Sequence, residues 1–270
     1  MTMSKPNKIS AAEKDELLKL MPYLRKTAGR AGAAINEIRG ALENVEQKTD
    51  GSPVTAADRA SHDIIMPVLT NLDLPYPVIS EEGDLSGADA CPVTYWLVDP
   101  LDGTKEFIKG LDEFTVNIAL VAENLPILGI VYLPATGLMY YAVKGEGAWR
   151  EASGENAVRR IMTTGGGSTG PLTAVVSRSH ASPETKAYLE KLGIDQTIAR
   201  GSSLKMCAVA EGLADIYPRL NPTWYWDTAA GAAIALEAGC TLTDPEGKPL
   251  DYDLSRALKH HGFVLSSDRF

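Results

Sequence analysis

The sequence predicts a mixed fold, in which an α+β half is followed by a smaller α/β half. Three β-rich runs between residues 114 and 143 are separated by Pro, Gly and Asn, as in an antiparallel meander. Beyond residue 170, strand and helix patterns alternate, which is typical of α/β domains. A polar and then Gly-rich stretch joins the two halves. We therefore predict an N-terminal domain of residues 1–155 and a C-terminal domain of residues 156–270.

The helices of the N-terminal half follow from apolar spacing. Residues 11–40 carry apolar side chains at helical intervals, which predicts one long amphipathic helix with an interruption near Pro22. Thr55 and Asp58 have the spacing of a capping box, and the helix that they open continues to Leu72. Two short apolar runs predict strands, at residues 77–80 and 95–98.

The C-terminal half is predicted to alternate between strands and helices. The strands are expected at residues 174–177, 214–217, 240–243 and 263–266. The helices are expected at residues 183–192, 205–212 and 227–239. Asp227 lies where the last of these helices begins.

The composition excludes several classes of protein. Among 270 residues, 35 acids outnumber 26 bases, so the net charge of -9 gives no attraction to nucleic acid or to an anionic membrane. The same charge would repel a phosphorylated substrate unless cations were bound. The three cysteines are far apart and predict neither disulfides nor a zinc site.

The expected location is the cytoplasm. Residues 1–10 are polar and lack the apolar core of a signal peptide, and no apolar run is long enough to cross a membrane. A peripheral position at the inner face of the cell membrane is the alternative. The sequence leaves open whether the protein is a monomer or a homodimer.

Two acids follow the apolar run 95–98 on one short predicted turn. If the carboxylates of Asp99 and Asp102 face one way at about 4 Å, their repulsion is about 4 kcal/mol at an effective dielectric constant near 20. A divalent cation between them would remove this cost. Pro100 has no N–H, which leaves the carbonyl of Leu101 available as a third oxygen ligand.

The next residues suit a phosphate. Gly103 and Thr104 offer backbone N–H groups where residues 104–107 are expected to open a helix, and such a terminus binds phosphate. Metal ligands and phosphate donors within six residues indicate metal-assisted phosphate chemistry. The alternative for this motif alone is an Asp-rich turn without a ligand.

Five acids stand where apolar structure stops. Taken singly, Asp58 could be a charge that stabilises a helix start, Glu81 a solvated loop acid and Asp227 an N-cap. Together with the Gly–Thr segment, they are better explained as a cation site. Because all the available donors are oxygen atoms, magnesium is favoured over zinc or copper. The five acids are Asp58, Glu81, Asp99, Asp102 and Asp227.

Three segments resemble the signatures of the inositol monophosphatase superfamily. They are residues 80–82 (SEE), 96–107 (WLVDPLDGTKEF) and 226–231 (WDTAAG), in the expected order over nearly the whole chain. The Lys-Glu-Phe extension and residues 114–120 are similar to the bacterial 3'(2'),5'-bisphosphate nucleotidase branch, the CysQ family. Residues 201–205 and 214–219 are also similar to that branch.

The resemblance implies a layered α-β-α-β-α fold and lithium-sensitive hydrolysis of phosphomonoesters with two or three magnesium ions. It places the metals on Glu81, Asp99, the Leu101 carbonyl, Asp102 and Asp227. Asp58 would support a weaker third ion or help to position water, and Thr104 would orient the attacking water together with Glu81.

The resemblance also implies the substrate contacts. The reacting phosphate would be held by the backbone of residues 102–104, and the nucleotide pocket would be lined by His180, Ser202, Lys205 and Arg219. The full set of implied substrate-binding residues is Glu81, Leu101, Asp102, Gly103, Thr104, His180, Ser202, Lys205, Arg219 and Asp227.

The implied reaction is hydrolysis of adenosine 3',5'-bisphosphate to AMP and phosphate, which serves sulfur assimilation. An inositol monophosphatase, or a dual phosphatase that also takes a sugar phosphate, is the enzymatic alternative. A catalytically silent nucleotide- or metal-binding regulator is a third reading, which is disfavoured because every position that carries chemistry is filled.

Overall fold

The structure is a computed structural model that describes residues 11–39, 45–47, 53–74, 76–85, 91–152, 158–163, 170–178 and 182–270. The described helices are α1 (Ala11–Ile38), α2 (Ala56–Thr70), α3 (Thr104–Ile108), α4 (Pro183–Lys191), α5 (Leu204–Ala210) and α6 (Ala229–Glu237). Among them, none combines the length and the apolar character needed to cross a membrane.

The described strands of the first half are β1 (Val45–Gln47), β2 (Pro53–Thr55), β3 (Val78–Ser80), β4 (Thr94–Asp102), β5 (Thr115–Ala122), β6 (Leu125–Leu133), β7 (Leu138–Val143), β8 (Gly147–Glu151) and β9 (Arg159–Ile161). Those that follow are β10 (Thr173–Ser177), β11 (Gln196–Arg200), β12 (Ile216–Arg219), β13 (Thr223–Trp224), β14 (Thr241–Thr243), β15 (Lys259–His260) and β16 (Phe263–Ser266).

The predicted layered fold is confirmed. Helices α1 and α2 cover one face of a seven-stranded sheet, and α6, against which α5 packs, covers its other face. Helix α5 also contacts a five-stranded sheet, whose far side carries α4. One apolar core extends from the seven-stranded sheet through α5 and α6 to the five-stranded sheet. The division into domains at residue 155 stays a prediction.

Helix α1 is not interrupted at Pro22, and this expectation is wrong. A proline inside a helix removes one backbone hydrogen bond and crowds the preceding turn. Here the helix continues because one face of it is buried along its whole length, while Pro22 lies on the exposed side. The residues of that face include Leu17, Met21, Leu24, Ala28, Ala31 and Ile35.

The predicted antiparallel meander is confirmed as β5, β6 and β7, and antiparallel pairing continues to β4, β8 and β9. These strands belong to the seven-stranded sheet, whose strand order is β3-β4-β5-β6-β7-β8-β9. Only the β3–β4 pair is parallel, with Ser80 opposite Val98. The parallel register brings the ends of these two strands to one edge of the sheet. This edge carries Glu81, immediately after β3, and Asp99, near the end of β4.

The five-stranded sheet has the order β11-β10-β12-β16-β14 and mixes parallel and antiparallel pairs. The strands and helices predicted for this half are present, with ends that differ by a few residues. Strand β11 lies outside the predicted set. It is a partly exposed edge strand without a long apolar run, which explains why the apolar pattern did not reveal it.

Small residues let α6 approach the seven-stranded sheet closely. Gly129 of β6 lies against this helix, and a Cβ atom placed on Gly129 would be 2.3 Å from the carbonyl oxygen of Ala230. It would also be 2.9 Å from the Cβ atom of Ala233. The interface therefore has no room for a side chain at residue 129.

A buried histidine of the C-terminal half packs against two tyrosine rings. His260 is 6% exposed and contacts the rings of Tyr225 and Tyr252, with centroids 4.4 Å and 4.8 Å away. Burial lowers the pKa of His260 to about 3. The folded protein therefore keeps this imidazole neutral, whereas the unfolded chain protonates it below a pH of about 6.5.

We expect this histidine to make the protein less stable as the pH falls. The neutral His260 side chain makes its full contribution to the free energy of unfolding above pH 6.5. That contribution falls progressively toward pH 3, by up to about 1.4 kcal/mol per pH unit. Urea denaturation between pH 7 and pH 5 should give a smaller pH dependence for His260→Phe than for the parent. The exposed neighbour provides the control, because His261→Phe should keep the parental dependence. Equal dependences in all three proteins would contradict the prediction.

Candidate active site

Three carboxylates from separate segments meet in one place. Glu81 follows β3, Asp99 lies in β4, and Asp227 precedes α6. One oxygen atom of each lies within 4.8 Å of those of the other two. The sequence prediction that these acids converge therefore agrees with the geometry.

The sequence predicts Asp99 and Asp102 on a short turn after a strand. In the structure, both residues instead belong to β4 and lie at its bulged end. Asp99 is opposite Asn117 of β5, and Asp102 is opposite Thr115, so β4 has one more residue than β5 between the two pairs. The backbone N–H of Leu101 donates a hydrogen bond of 3.1 Å to Oδ1 of Asp99 inside this bulge. The extra residue makes room for the acids without ending the strand.

Repulsion and burial raise the pKa values of the clustered acids. Asp99 is 1% exposed, and burial raises its pKa well above 3.8, with further increases caused by the charges of Glu81, Asp102, Asp227 and Asp58. Burial and the charge of Asp102 raise the pKa of Asp227 to about 7. A hydrogen bond from Thr223 and the charge of Arg219 oppose this increase.

Asp58 belongs to this electrostatic group. It lies in the first turn of α2, as its reading as a helix-start charge predicted, and it is 1% exposed. Its charge is one of those that raise the pKa of Asp99. The N-cap alternative for Asp227 is wrong, because the N-cap of α6 is Thr228. Asp227 instead accepts hydrogen bonds of 2.6 Å from Oγ1 of Thr223 and 3.2 Å from the N–H of Trp224.

The donor set fits a hard divalent cation. The converging atoms are carboxylate oxygens, and no histidine or cysteine belongs to the group found among the described residues. Three carboxylates at this distance, of which Asp99 is buried and the other two are half-buried, repel one another, and bound cations would relieve that repulsion. Magnesium as the ion, and the number of ions, stay predictions.

Thr104 is fixed beside the acids by its own hydroxyl. Oγ1 of Thr104 donates a hydrogen bond of 3.1 Å to the carbonyl oxygen of Leu101. Gly103 has a φ angle of +90°, and a Cβ atom there would lie 3.0 Å from the carbonyl oxygen of Glu113. Glycine is therefore required at residue 103 for both conformation and space. The short helix α3 begins immediately afterwards, close to the predicted place.

A cavity of 170 Å³ lies next to the acids. Asp102, Gly103 and Asp227 line it, together with the predicted pocket residues Ser202, Lys205 and Arg219. Glu81, Asp99, Leu101 and Thr104 do not line this cavity. His180, the remaining predicted pocket residue, lies outside the described residues.

Lys205 and Arg219 are held in place rather than extended into solvent. Lys205 is 5% exposed, and its Nζ donates a hydrogen bond of 2.5 Å to the carbonyl oxygen of Ser202. The half-buried Arg219 donates to the carbonyl oxygen of Pro222 at 3.4 Å. Nearby charges, including that of Asp227, raise the pKa of Arg219. Neither side chain is therefore a freely solvated surface charge.

Sequence reasoning missed two residues that contact Asp102. Asn117 of β5 and Ser203, just before α5, are both buried and are joined by a hydrogen bond of 2.8 Å. Ser203 also lies 2.9 Å from Oδ2 of Asp102. An amide side chain within the otherwise apolar run 116–121 was a signal that could have indicated Asn117.

The loop that carries Ser202 and Ser203 is braced from the other half of the chain. The N–H of Gly201 donates to Glu113 at 2.7 Å, and Arg178 makes two hydrogen bonds to the same carboxylate. These contacts lower the pKa of Glu113. Ser202 has a φ angle of +41°, which is rare for a residue other than glycine. The brace therefore stabilises an unusual backbone conformation at the edge of the cavity.

Known proteins are similar to this chain in sequence and in fold. Residues 16–267 match the inositol monophosphatase family. A 3'(2'),5'-bisphosphate nucleotidase CysQ from Shigella flexneri is 49% identical over 251 residues, which make up 92% of this chain and 99% of that protein.

Solved structures agree with this match. The crystal structure of CysQ from Bacteroides thetaiotaomicron, a bacterial member of the inositol monophosphatase family, has a TM-score of 0.77 and 38% identity, over 90% of this chain and 95% of that one. An IMPase from Thermotoga maritima has a TM-score of 0.75 and 26% identity, over 93% of both chains.

Proposed function

This chain belongs to the inositol monophosphatase family, and from this premise we propose that it is a magnesium-dependent 3'(2'),5'-bisphosphate nucleotidase that converts adenosine 3',5'-bisphosphate to AMP and phosphate. The similarity to nucleotidases named CysQ supports the substrate. The proposal depends on one observation. The carboxylates of Glu81, Asp99 and Asp227 converge beside a cavity that is also lined by the basic side chains of Lys205 and Arg219.

The acids would hold the metal ions. Glu81, Asp99, Asp227, Asp102 and the carbonyl of Leu101 provide oxygen ligands of the kind that magnesium prefers. Magnesium bound there would lower the pKa of the attacking water and neutralise the oxygen of the leaving group. Without such ions, the acids would repel the phosphate of the substrate.

Thr104 is oriented to accept a hydrogen bond from the attacking water. Its proton is donated to the carbonyl of Leu101, so the lone pairs of Oγ1 remain available for a water molecule. Glu81 lies in the same acid cluster and would take the water's proton. The backbone N–H groups of Gly103 and Thr104 would hold the reacting phosphate.

The second phosphate of the nucleotide would lie against Lys205 and Arg219. A guanidinium group suits two parallel contacts with an oxyanion, whereas an ammonium group acts as a point charge. Beyond Arg219 and Tyr217, which line both spaces, lies a further hollow of 190 Å³. It offers room for the rest of the nucleotide next to Thr185, Leu220 and Asn221.

Phosphate release tests the proposal. The protein is assayed with magnesium on adenosine 3',5'-bisphosphate and on inositol 1-phosphate at equal concentrations. The nucleotide should give the higher kcat/KM. A preference for inositol 1-phosphate would replace the proposal with an inositol monophosphatase, and no turnover of either substrate would indicate a catalytically silent binding protein.

Removal of the two basic side chains that line the cavity should change which substrate the enzyme prefers. In the double variant Lys205→Ala, Arg219→Ala, kcat/KM should fall about 100-fold for adenosine 3',5'-bisphosphate, because two contacts of a charged group are lost (roughly 3 kcal/mol). A substrate with a single phosphate, such as inositol 1-phosphate, should lose far less. Lys191→Ala, an exposed change on α4, controls for lost positive charge. An equal fall in kcat/KM for both substrates would contradict the assignment of Lys205 and Arg219 to the second phosphate.

Four further properties belong to the same proposal. Hydrolysis of adenosine 3',5'-bisphosphate would place the protein in sulfur assimilation, and lithium should inhibit it by competing for the magnesium ligands. We propose the cytoplasm as its location and His180 as a further pocket residue.

A further inference from the structure

The hydroxyl of Ser203 is the centre of a buried hydrogen-bond network. It lies 2.9 Å from Oδ2 of Asp102, 2.9 Å from the carbonyl oxygen of Asp227 and 2.8 Å from Nδ2 of Asn117. Ser203 is 3% exposed and Asn117 is 1% exposed, so water does not compete for these groups. The network joins the seven-stranded sheet to the segments that precede α5 and α6.

A hydroxyl has one proton, so its two acceptors compete. A carboxylate accepts a stronger hydrogen bond than a neutral carbonyl, and the proton of Ser203 is therefore directed at Oδ2 of Asp102. The amide of Asn117 fills a lone pair of the same hydroxyl. Its Nδ2 also lies 3.5 Å from Oδ2 of Asp102.

These contacts all fall on one oxygen of Asp102. Both partners approach Oδ2, and within the described part of the chain no side chain donates a hydrogen bond to Oδ1. The carboxylate is therefore fixed in rotation, with Oδ1 available to a cation.

The orientation of Asn117 supports a role beyond packing. With its Nδ2 directed at Ser203 and Asp102, its Oδ1 is buried without a hydrogen-bond partner. A buried carbonyl without a partner costs free energy, and an apolar residue at this place in β5 would avoid that cost. The contacts of Nδ2 with Ser203 and Asp102 give a reason for an asparagine at this place despite the unpaired Oδ1.

We propose that Ser203 and Asn117 are positioning residues that hold Asp102 for a divalent cation, an inference that rests on the metal site of the proposed function. Groups that orient a metal ligand commonly change metal affinity by about 10- to 100-fold when they are removed. The two residues do not touch the reacting phosphate in this scheme. Removal of either side chain should therefore lower the affinity for the cation, and activity should fall only because less cation is bound.

Magnesium binding to the substrate-free protein tests the inference. Isothermal titration calorimetry with magnesium chloride should show a dissociation constant raised by about 10-fold or more for Ser203→Ala. Ser203→Thr keeps the hydroxyl and should restore most of the affinity. Ser267→Ala is the matched control, because Ser267 is a buried serine 3.5 Å from another aspartate, Asp215, in a different part of the fold.

Activity provides a second readout. The magnesium concentration for half-maximal activity should rise in Ser203→Ala, whereas kcat at saturating magnesium should recover. Asn117→Leu removes both N–H donors, keeps the branched shape and the number of side-chain heavy atoms, and should shift the magnesium dependence in the same direction. It also keeps the test informative if Ser203→Ala fails to fold.

The outcomes separate this inference from the proposed function. If the parent binds magnesium and both Ser203→Ala and Asn117→Leu bind it with the parental affinity, the positioning role is overturned and the metal site stands. If Ser267→Ala loses as much affinity as Ser203→Ala, the effect is general and the role is likewise overturned. A parent that binds no magnesium would overturn both proposals.

Discussion

Asp99→Asn should lower kcat/KM by more than about 100-fold, which corresponds to about 3 kcal/mol of activation free energy. Asparagine keeps the size of the side chain but lacks the charge that a hard cation requires. Its Oδ1 can still accept the hydrogen bond from the N–H of Leu101. The fold should therefore be retained while the reaction is lost.

The same variant should be more stable than the parent when magnesium is absent. Asp99 is buried and repelled by Glu81, Asp102 and Asp227, and the substitution removes this repulsion. Thermal unfolding with and without magnesium measures the effect, and the gain from added magnesium should shrink in the variant. Asp195→Asn, an exposed change of the same kind, is the control. Near-normal turnover of Asp99→Asn at saturating magnesium would reject Asp99 as a metal ligand.

Gly129→Ala should cost about 3 kcal/mol of unfolding free energy, near the upper end of the usual effect of overpacking. The new methyl group would collide with the backbone of Ala230 at 2.3 Å, and a helix backbone cannot rotate away as a flexible side chain can. Either α6 must move off β6 or the sheet must bend. Because Asp227 lies just before α6, such a movement would also reduce activity.

Denaturation with urea measures this cost, and α1 supplies the matched control. Gly29 has no atom within 4 Å of the place where a Cβ would lie. Gly29→Ala should therefore leave the protein equally stable or stabilise it by roughly 0.5–1 kcal/mol, because alanine is the better helix former. If both variants proved equally stable, close packing at Gly129 would not be a determinant of stability.

Local sequence predicted the meander and the Asp99–Thr104 motif well. In the meander, each strand pairs with the next in the chain, so turns and apolar alternation contain the necessary information. The motif holds its ligands within six residues. Its bulge was not predictable, because the one-residue surplus appears only when β4 is paired with β5.

The network around Asp102 could not be predicted from local patterns. Ser203 and Asp102 are 101 residues apart, and their contact depends on how α5 packs between the two sheets. A serine at the start of a helix is also a common N-cap, although Ser203 makes no capping hydrogen bond with its side chain. Such contacts are fixed by packing between layers, which residue spacing does not encode.

The acid cluster and the cavity beside it draw on different parts of the fold, and this has a consequence for how substrate range evolves. The clustered acids Glu81 and Asp99 lie at strand ends of the seven-stranded sheet, whereas the cavity residues Lys205 and Arg219 lie on α5 and at the end of β12. Substitutions on α5 and β12 can change the shape and charge of one wall while the carboxylates stay in place. A descendant can therefore exchange one phosphorylated substrate for another through a few changes in that wall, and it inherits its hydrolytic chemistry unaltered.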